Sequence, residues 1–309
     1  MIRNSIHLAS RRRWILDPLA ALAARAGVYG RMIRFSHTVF ALPFALSALV
    51  LAGREQEITA AQIFWILAAM VGARSAAMGF NRITDVAFDA RHPRTATREI
   101  PAGRLSKTAA AAFVAFFSGV FILAAGMLGR LPLLLSVPVL GVLFLYSYTK
   151  RFTWLAHLYL GFAISLAPLA TWIAVTDDFS GGILWLSLAL LAYIAGFDIL
   201  YACQDVDFDR AQGLFSIPAR FGVPRALQAA RAIHAVAYLS FLMLYFVFHM
   251  TGGFLLAVGL IGLLLVFEHW LIDPHDLSRV HIAFFHVNSL ISLTLLAGVA
   301  ADELIRRIP

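Results

Sequence analysis

Long apolar stretches occur along almost the whole chain of 309 residues, and they restrict its fold more than any other feature. A helix that crosses a bilayer needs about twenty mainly apolar residues. A helix also satisfies its own backbone hydrogen bonds within lipid. Nine stretches meet these requirements, at residues 35–53, 61–81, 108–129, 131–149, 153–176, 181–204, 226–248, 251–270 and 281–302. The sequence therefore predicts an all-α, polytopic membrane bundle of about nine transmembrane helices around a central cavity.

Two of the breaks between these stretches are very short. One depends on the turn residues at 129–132, and the other depends on those at 249–253, which include a Gly-Gly pair. Both are predicted to be tight hairpin turns between antiparallel helices.

The scarcity of charge supports the membrane fold. Hydrophobic residues make up 61% of the chain and charged residues only 14%, with a mean hydropathy of +0.81. Soluble domains carry about 25% charged residues. Because the deficit is spread along the chain, we expect a single membrane domain, residues 35–309, rather than a soluble domain with one anchor. The single cysteine, Cys203, excludes an internal disulfide framework and a cysteine-rich metal site.

The segment before the first stretch, residues 1–34, is basic. Three consecutive arginines at 11–13 precede a short apolar run that contains Asp17 and Pro18. A cleaved signal sequence is one interpretation of this pattern. The favoured interpretation is a cytoplasmic, partly amphipathic segment that lies on the membrane surface.

Lysine and arginine are distributed unequally between the predicted loops. If the N-terminus is cytoplasmic, twenty of them fall on the inside, and four fall on the outside, namely Arg54, Arg130, Arg306 and Arg307. Cytoplasmic loops of membrane proteins carry such an excess of basic residues. This bias explains the net charge of +8 without nucleic acid as a partner. It supports the helix count and places the C-terminus outside. We expect an integral protein of the bacterial inner membrane whose active-site side is cytoplasmic.

Acidic residues mark the end of the second stretch. Asn81, Asp85 and Asp89 are spaced four apart, so on a helix they share one face. Like charges at this spacing repel each other. Carboxylates at the edge of a bilayer are also costly unless they have a partner. The pattern therefore indicates a binding site for a cation.

A second acidic set ends the sixth stretch. Asp198, Tyr201, Asp205 and Asp209 fall at offsets of 0, 3, 7 and 11, which is again one helical face. The second and sixth stretches run in the same direction, so both sets reach the same side of the membrane. Carboxylates without His or Cys suit Mg²⁺, which proteins hold by a few carboxylates together with substrate phosphates. The two sets together predict a site for a metal-bound diphosphate.

An ion-transporting protein is the non-enzymatic alternative. A transporter places its ion site near the middle of the bilayer, at broken helices. Here the acids lie at the ends of the stretches beside basic loops. That position favours a diphosphate that arrives from the aqueous surface.

Together these motifs resemble the paired signature of UbiA-type intramembrane prenyltransferases. The resemblance covers essentially the whole chain and includes the loop residues Arg94, Thr95 and Arg98 after Asp89. Stretches 34–43, 148–153 and 196–222 resemble the 4-hydroxybenzoate polyprenyltransferase-like branch, some members of which belong to the futalosine route to menaquinone.

The resemblance implies transfer of a polyprenyl group from polyprenyl diphosphate to an aromatic acid in quinone biosynthesis. The expected acceptors are 4-hydroxybenzoate and 1,4-dihydroxy-6-naphthoate. The alternative acceptors are 1,4-dihydroxy-2-naphthoate, a haem vinyl group and a glycerol phosphate ether. Mg²⁺ is the implied cofactor, and its ligands would be Asp85, Asp89, Asp205 and Asp209.

Several polar residues are candidates to bind the two substrates. Departure of a diphosphate develops negative charge, which fixed donors stabilise. The candidate diphosphate-binding residues are Asn81, Arg94, Arg98, Lys150 and Arg151. Arg74 lies within a membrane stretch, where a charge usually marks a site. We expect Arg74 to bind the carboxylate of the acceptor.

Two residues of the second acidic set have alternative roles. Tyr201 could orient a carboxylate, or its ring could shield a carbocation. Asp198 could assist removal of the ring proton, or it could hold Arg74. Asp207 points away from this face and is expected to be solvated. The histidines, including His157, are interpreted as core or interface residues.

Overall fold

The structure is a computed structural model that describes residues 27–33, 38, 40–179 and 181–308. Nine helices form the framework of the described part. They are α1 (Leu42–Ala52), α2 (Ala60–Thr84), α3 (Lys107–Leu128), α4 (Arg130–Thr149), α5 (Ala156–Thr176), α6 (Gly181–Ala202), α7 (Val223–Val247), α8 (Gly252–Leu271) and α9 (Asn288–Arg307).

These helices confirm the predicted all-α membrane bundle. Eight of the described helices are long and apolar enough to cross a membrane. The remaining helix, α1, has eleven residues and lies within the first predicted stretch. Most of the basic segment at 1–34, including residues 1–26 and 34, lies outside the described residues. The proposed division at residue 35 therefore stays a prediction.

Local signals explain where the helices begin. The side chain of Thr59 accepts a hydrogen bond from Gln62 N at 3.2 Å, and Thr59 N donates to Gln62 Oε1 at 2.9 Å. This reciprocal pair satisfies backbone donors at the start of α2. Ser106 caps α3 in a similar way, because its hydroxyl accepts from Ala109 N at 3.1 Å.

Both short hairpin turns occur where the sequence predicts them. Gly129 separates α3 from α4 and has a φ of 145°, a conformation that favours glycine. His249 lies between α7 and α8 with a φ of 49°. Each turn reverses the chain, so consecutive helices run antiparallel.

Helix α6 lies at the centre of the bundle, with α5 and α7 packed against it. Its fully buried side chains include Ile183, Leu190 and Tyr193. Gly161 of α5 permits this packing, because a Cβ atom there would lie 2.2 Å from the carbonyl oxygen of Leu191. The backbones of α5 and α6 are therefore in direct contact at Gly161.

At the end of the bundle opposite the acidic motifs, the buried side chain of Asp302 in α9 links several segments of the chain. Arg54 Nη2 donates to Asp302 Oδ2 at 2.6 Å, and Arg306 Nε donates to the same oxygen at 3.0 Å. Thr251 N donates to Asp302 Oδ1. This carboxylate thus joins the end of α1, the turn before α8 and the last helix.

Candidate active site

The first acidic motif continues the second membrane helix. Asp85 follows α2 directly, and one further helical turn spans Val86–Asp89. Asp89 N donates to the carbonyl oxygen of Asp85 at 2.8 Å, so the helical path runs through the motif. Asn81 Nδ2 donates to Asp85 Oδ2 at 3.1 Å, which confirms the predicted shared face of these two residues.

The loop after α4 neutralises the charge of Asp85, which is only 3% exposed. Lys150 Nζ donates to Asp85 Oδ2 at 2.6 Å. Arg151 Nη2 lies 3.8 Å from Asp85 Oδ1 and donates to the carbonyl oxygen of Thr84 at 2.8 Å. Two of the predicted diphosphate-binding cations therefore contact the first motif.

The loop after the first motif folds back onto it. Arg98 Nη1 donates to both carboxylate oxygens of Asp89, at 2.6 and 2.8 Å. The hydroxyl of Thr95 donates to the backbone carbonyl of Asp89 at 3.1 Å. These contacts fix the position of Asp89 relative to its loop.

The same loop reaches the second motif. Arg94 Nη2 donates to Asp205 Oδ2 at 2.5 Å, and Arg94 Nη1 contacts the hydroxyl of Tyr201. The guanidinium carbon lies 4.7 Å from the centre of the Tyr201 ring. His92 Nε2 lies 3.1 Å from Asp205 Oδ1, and the His92 ring packs edge-on against Phe208. The two motifs are therefore bridged by one loop.

The second motif departs from the single helical face that its spacing predicts. Helix α6 ends at Ala202, a 3₁₀ turn spans Cys203–Asp205, and a short helix spans Val206–Ala211. The tighter turn changes the helical phase between Asp198 and Asp209, so the expectation of one uninterrupted face is wrong. Asp207 is exposed, as predicted.

A cavity of about 110 Å³ lies between the two motifs. Carboxylates and permanent cations face it in equal number, namely Asp89, Asp205, Asp209, Arg94, Arg98 and Lys150. The Asp209 carboxylate accepts a hydrogen bond from Ser216 Oγ at 2.8 Å. Three of the four aspartates expected to share a site therefore line one cavity, together with three of the expected diphosphate-binding cations, whereas Asp85 is not among the described lining residues.

Asp198 lies deeper in the bundle than this cavity and has a different partner. His157 Nδ1 lies 2.7 Å from Asp198 Oδ2. Ile217 N donates to His157 Nε2 at 3.3 Å. His157 is only 4% exposed, so its expected burial is confirmed, but it also contacts a candidate site residue.

Arg74 lies in α2, two turns further from the acidic end than Asn81, and its side chain is partly buried. It is not among the described residues that line the cavity. Its expected contact with an acceptor carboxylate therefore stays a prediction.

The donor chemistry of the site fits Mg²⁺. Asp85 Oδ1 is a buried carboxylate oxygen that accepts no hydrogen bond from the described residues. Among the same residues, no three His, Cys, Asp or Glu side chains are close enough together to hold a metal ion by themselves. Mg²⁺ is commonly bound by one or two carboxylates together with substrate phosphates, and such a site needs no all-protein cage.

Comparison with known proteins decides the family. The model of the UbiA prenyltransferase family matches residues 41–290, which is most of the chain. The chain belongs to the UbiA prenyltransferase family. With its long apolar helices, this UbiA family member is an integral membrane prenyltransferase.

Relatives and solved structures agree with this membership. A 4-hydroxybenzoate octaprenyltransferase of Idiomarina loihiensis is 31% identical over 82% of this chain and 88% of its own length. The apo structure of a UbiA homologue from Aeropyrum pernix K1 is 33% identical, covers 86% of this chain and 98% of that chain, and has a TM-score of 0.78.

A further structure shares the fold at lower identity. It is a UbiA homologue from Archaeoglobus fulgidus bound to GPP and Mg²⁺. It is 18% identical, covers 88% of this chain and 99% of that chain, and has a TM-score of 0.65.

The structure adds three residues that the sequence analysis does not assign to the site, namely His92, His157 and Ser216. Each side chain contacts a carboxylate of the second motif directly, His92 and Ser216 from loops and His157 from the neighbouring helix α5. His92 has the clearest sequence signal, because it lies only three residues after Asp89 in the loop that carries Arg94.

Proposed function

We propose that this enzyme transfers a polyprenyl group from polyprenyl diphosphate to 4-hydroxybenzoate or 1,4-dihydroxy-6-naphthoate in quinone biosynthesis. The observation that carries the proposal is the cavity where Arg94 bridges the two acidic motifs at the end of an apolar bundle. Relatives named 4-hydroxybenzoate octaprenyltransferase support a polyprenyl donor and an aromatic acceptor.

The carboxylates of Asp85, Asp89, Asp205 and Asp209 would hold Mg²⁺ together with the diphosphate. When bound, Mg²⁺ would offset the negative charge of the diphosphate and assist its departure as a Lewis acid. The buried oxygen of Asp85 and the hydrogen-bonded carboxylate of Asp209 support this assignment.

Cations of the chain stabilise the leaving group. Arg94, Arg98 and Lys150 face the cavity, each already placed by a carboxylate. Donors fixed in this way stabilise developing charge without reorganising during the reaction. Asn81 and Arg151 support the same end of the site through Asp85.

The apolar helices would accommodate the isoprenoid tail and keep water away from the allylic carbocation. The electron-rich ring of the acceptor attacks this carbocation, and loss of a ring proton restores aromaticity. The Tyr201 ring, near Asp205, can shield positive charge by its π face. Arg74 would bind the carboxylate of the acceptor by a bidentate contact.

We place the end of the bundle that carries the two acidic motifs on the cytoplasmic side of the bacterial inner membrane. The unequal distribution of lysine and arginine supports this orientation, because basic loops favour the cytoplasm. Bacterial relatives support the choice of membrane.

The test uses purified protein in lipid nanodiscs with one polyprenyl diphosphate, Mg²⁺ and a panel of acceptors. The panel contains both expected acids, 1,4-dihydroxy-2-naphthoate, haem and a glycerol phosphate ether. We expect diphosphate release coupled to prenylation of one of the two expected acids. Turnover of haem or the glycerol ether alone would overturn the proposal, as would diphosphate release with no prenylated acceptor in any reaction.

A further inference from the structure

His157 and Asp198 form a buried pair that the proposed handling of the diphosphate does not use. The backbone N–H of Ile217 donates to His157 Nε2, so this nitrogen is the acceptor of the ring. In a neutral imidazole the other nitrogen, Nδ1, then carries the proton. His157 therefore donates its Nδ1 hydrogen to Asp198 Oδ2 over 2.7 Å.

This hydrogen bond fixes the orientation of the Asp198 carboxylate. Among the described residues, His157 is the one hydrogen-bonding partner of the Asp198 side chain, and it uses Oδ2. The side chain of Asp198 is 21% exposed, whereas that of His157 is 6% exposed. The Asp198 carboxylate is therefore partly accessible, and the more deeply buried His157 fixes its position.

One loop connects this pair to the diphosphate end of the site. Ser216 Oγ donates to Asp209 Oδ2 at 2.8 Å, and the next residue, Ile217, donates to His157. Two successive residues thus hold one carboxylate at the mouth of the site and another deeper in the bundle. The loop fixes the relative positions of Asp209 and Asp198.

Asp198 and Arg74 both lie deeper in the bundle than the acidic motifs, on two helices, α6 and α2, that run in the same direction. Asp198 precedes Asp205 by seven residues, and Arg74 precedes Asn81 by seven residues. Seven helical residues correspond to about 10 Å. An aromatic acid bound at Arg74 would place its ring inside the bundle, deeper than the acidic motifs, as Asp198 is.

We propose that Asp198 removes the ring proton of the acceptor and that His157 is the residue that positions it; this inference rests on the proposed function. Attack of the ring on the allylic carbocation forms the carbon–carbon bond. The C–H bond at the alkylated ring carbon then breaks, its electron pair restores the aromatic ring, and the proton goes to Asp198 Oδ1. His157 keeps its own proton throughout. The proton on Asp198 finally leaves to water, so the net products are the prenylated acceptor, diphosphate and one proton.

The experiment measures the kinetic isotope effect with an acceptor deuterated at the ring carbon that becomes alkylated. In the wild-type enzyme we expect no isotope effect on kcat, because ionisation of the donor is expected to limit the rate and the later loss of the proton is fast. Asp198→Asn should lower kcat by about 10²-fold, the usual contribution of a general base. The same variant should show a clear primary isotope effect and an unchanged KM for the polyprenyl diphosphate.

Two substitutions of His157 separate positioning from packing. His157→Gln keeps a side-chain donor for Asp198 and should retain most of the wild-type kcat. His157→Leu lacks the donor and should lower kcat by roughly 10-fold or more, because misplaced groups lose that much. It should also show an isotope effect. Asp207→Asn is the control, since Asp207 is exposed on the same segment.

The outcomes are distinguishable from failure of the proposed function. A wild-type enzyme that prenylates no aromatic acid overturns the proposed function itself. An active wild-type enzyme whose Asp198→Asn variant is slow but shows no isotope effect overturns this inference alone. Thermal unfolding of each variant shows whether it still folds. If Asp198→Asn does not fold, the inference is tested by the difference in kcat and in isotope effect between His157→Gln and His157→Leu.

Discussion

Arg94 and Asp205 lie 111 positions apart in the sequence, yet the guanidinium of Arg94 donates to the Asp205 carboxylate at 2.5 Å. The arginine belongs to the loop after the first acidic motif, and the aspartate belongs to the second. Their contact converts two separate helix ends into one site. Because Arg94 also contacts Tyr201, its position is fixed by two partners.

Arg94→Ala should lower kcat/KM for the polyprenyl diphosphate by about 10²-fold, since loss of one preorganised donor has effects of this size. Steady-state kinetics with varied donor concentration measure the change. Arg91→Ala is the matched control, because Arg91 is an exposed neighbour whose guanidinium donates to Gln212 Oε1 at 3.1 Å and not to either acidic motif among the described residues. Similar losses in the two variants would indicate a general effect of loop charge and would contradict the specific role of Arg94.

Arg74→Ala should raise KM for the aromatic acid much more than KM for the polyprenyl diphosphate. The physical reason is loss of a bidentate charge-assisted contact, for which about 2 kcal/mol is a typical contribution. An acceptor analogue without the carboxylate should react equally well with wild-type enzyme and variant. Equal increases in both KM values would rule out the assignment of Arg74 to the acceptor.

Removal of divalent metal by a chelator should abolish prenyl transfer, and added Mg²⁺ should restore it. Ser216→Ala should raise the Mg²⁺ concentration for half-maximal activity by about 10-fold, because a residue that orients a metal ligand typically has this effect. Ser118→Ala is the control, since its hydroxyl donates to the carbonyl oxygen of Val114 within α3 at 2.8 Å, far from the acidic motifs in the sequence. Full activity in the presence of chelator would contradict the assignment of a metal to these aspartates.

The acidic residues of the site could be predicted from sequence because periodicity and charge constrain them strongly. Asp85 and Asp89 have a four-residue spacing that places them on one helical face, and a cluster of carboxylates beside lipid needs a cation. The pairing of His157 with Asp198 could not be predicted in this way. It depends on how closely α5 packs against α6 and on the path of the loop at Ile217.

The helical phase of the second motif marks another limit of prediction. Spacing alone assumes a regular helix through Asp209, but the chain tightens into a 3₁₀ turn at Cys203–Asp205. Such turns are common at the ends of α-helices. The change in phase leaves Asp205 and Asp209 at the cavity, while Asp198 is held separately by His157.

The opposite end of the bundle offers a prediction about stability rather than catalysis. Asp302 is fully buried, and its carboxylate accepts from Arg54, Arg306 and the backbone of Thr251. In Asp302→Asn, Glu303 remains as a counter-ion for Arg54. The substitution nonetheless removes a buried carboxylate that accepts hydrogen bonds from two arginines, and hydrogen bonds to charged groups contribute about 1.5–3 kcal/mol each. We therefore expect a clear decrease in Tm. Both KM values should stay at their wild-type levels, because Asp302 lies at the end away from the acidic motifs.

Thermal unfolding in detergent and steady-state kinetics test this prediction together. Glu303→Gln is the matched control, since Glu303 is partly exposed and pairs with Arg54 at 3.0 Å at the edge of the same cluster. Its Tm should change less than that of Asp302→Asn, because Glu303 is less buried than Asp302 and Arg54 would keep its pair with Asp302. An unchanged Tm for Asp302→Asn would show that this cluster does not stabilise the bundle. A selective rise in one KM would instead connect this end of the molecule to substrate binding.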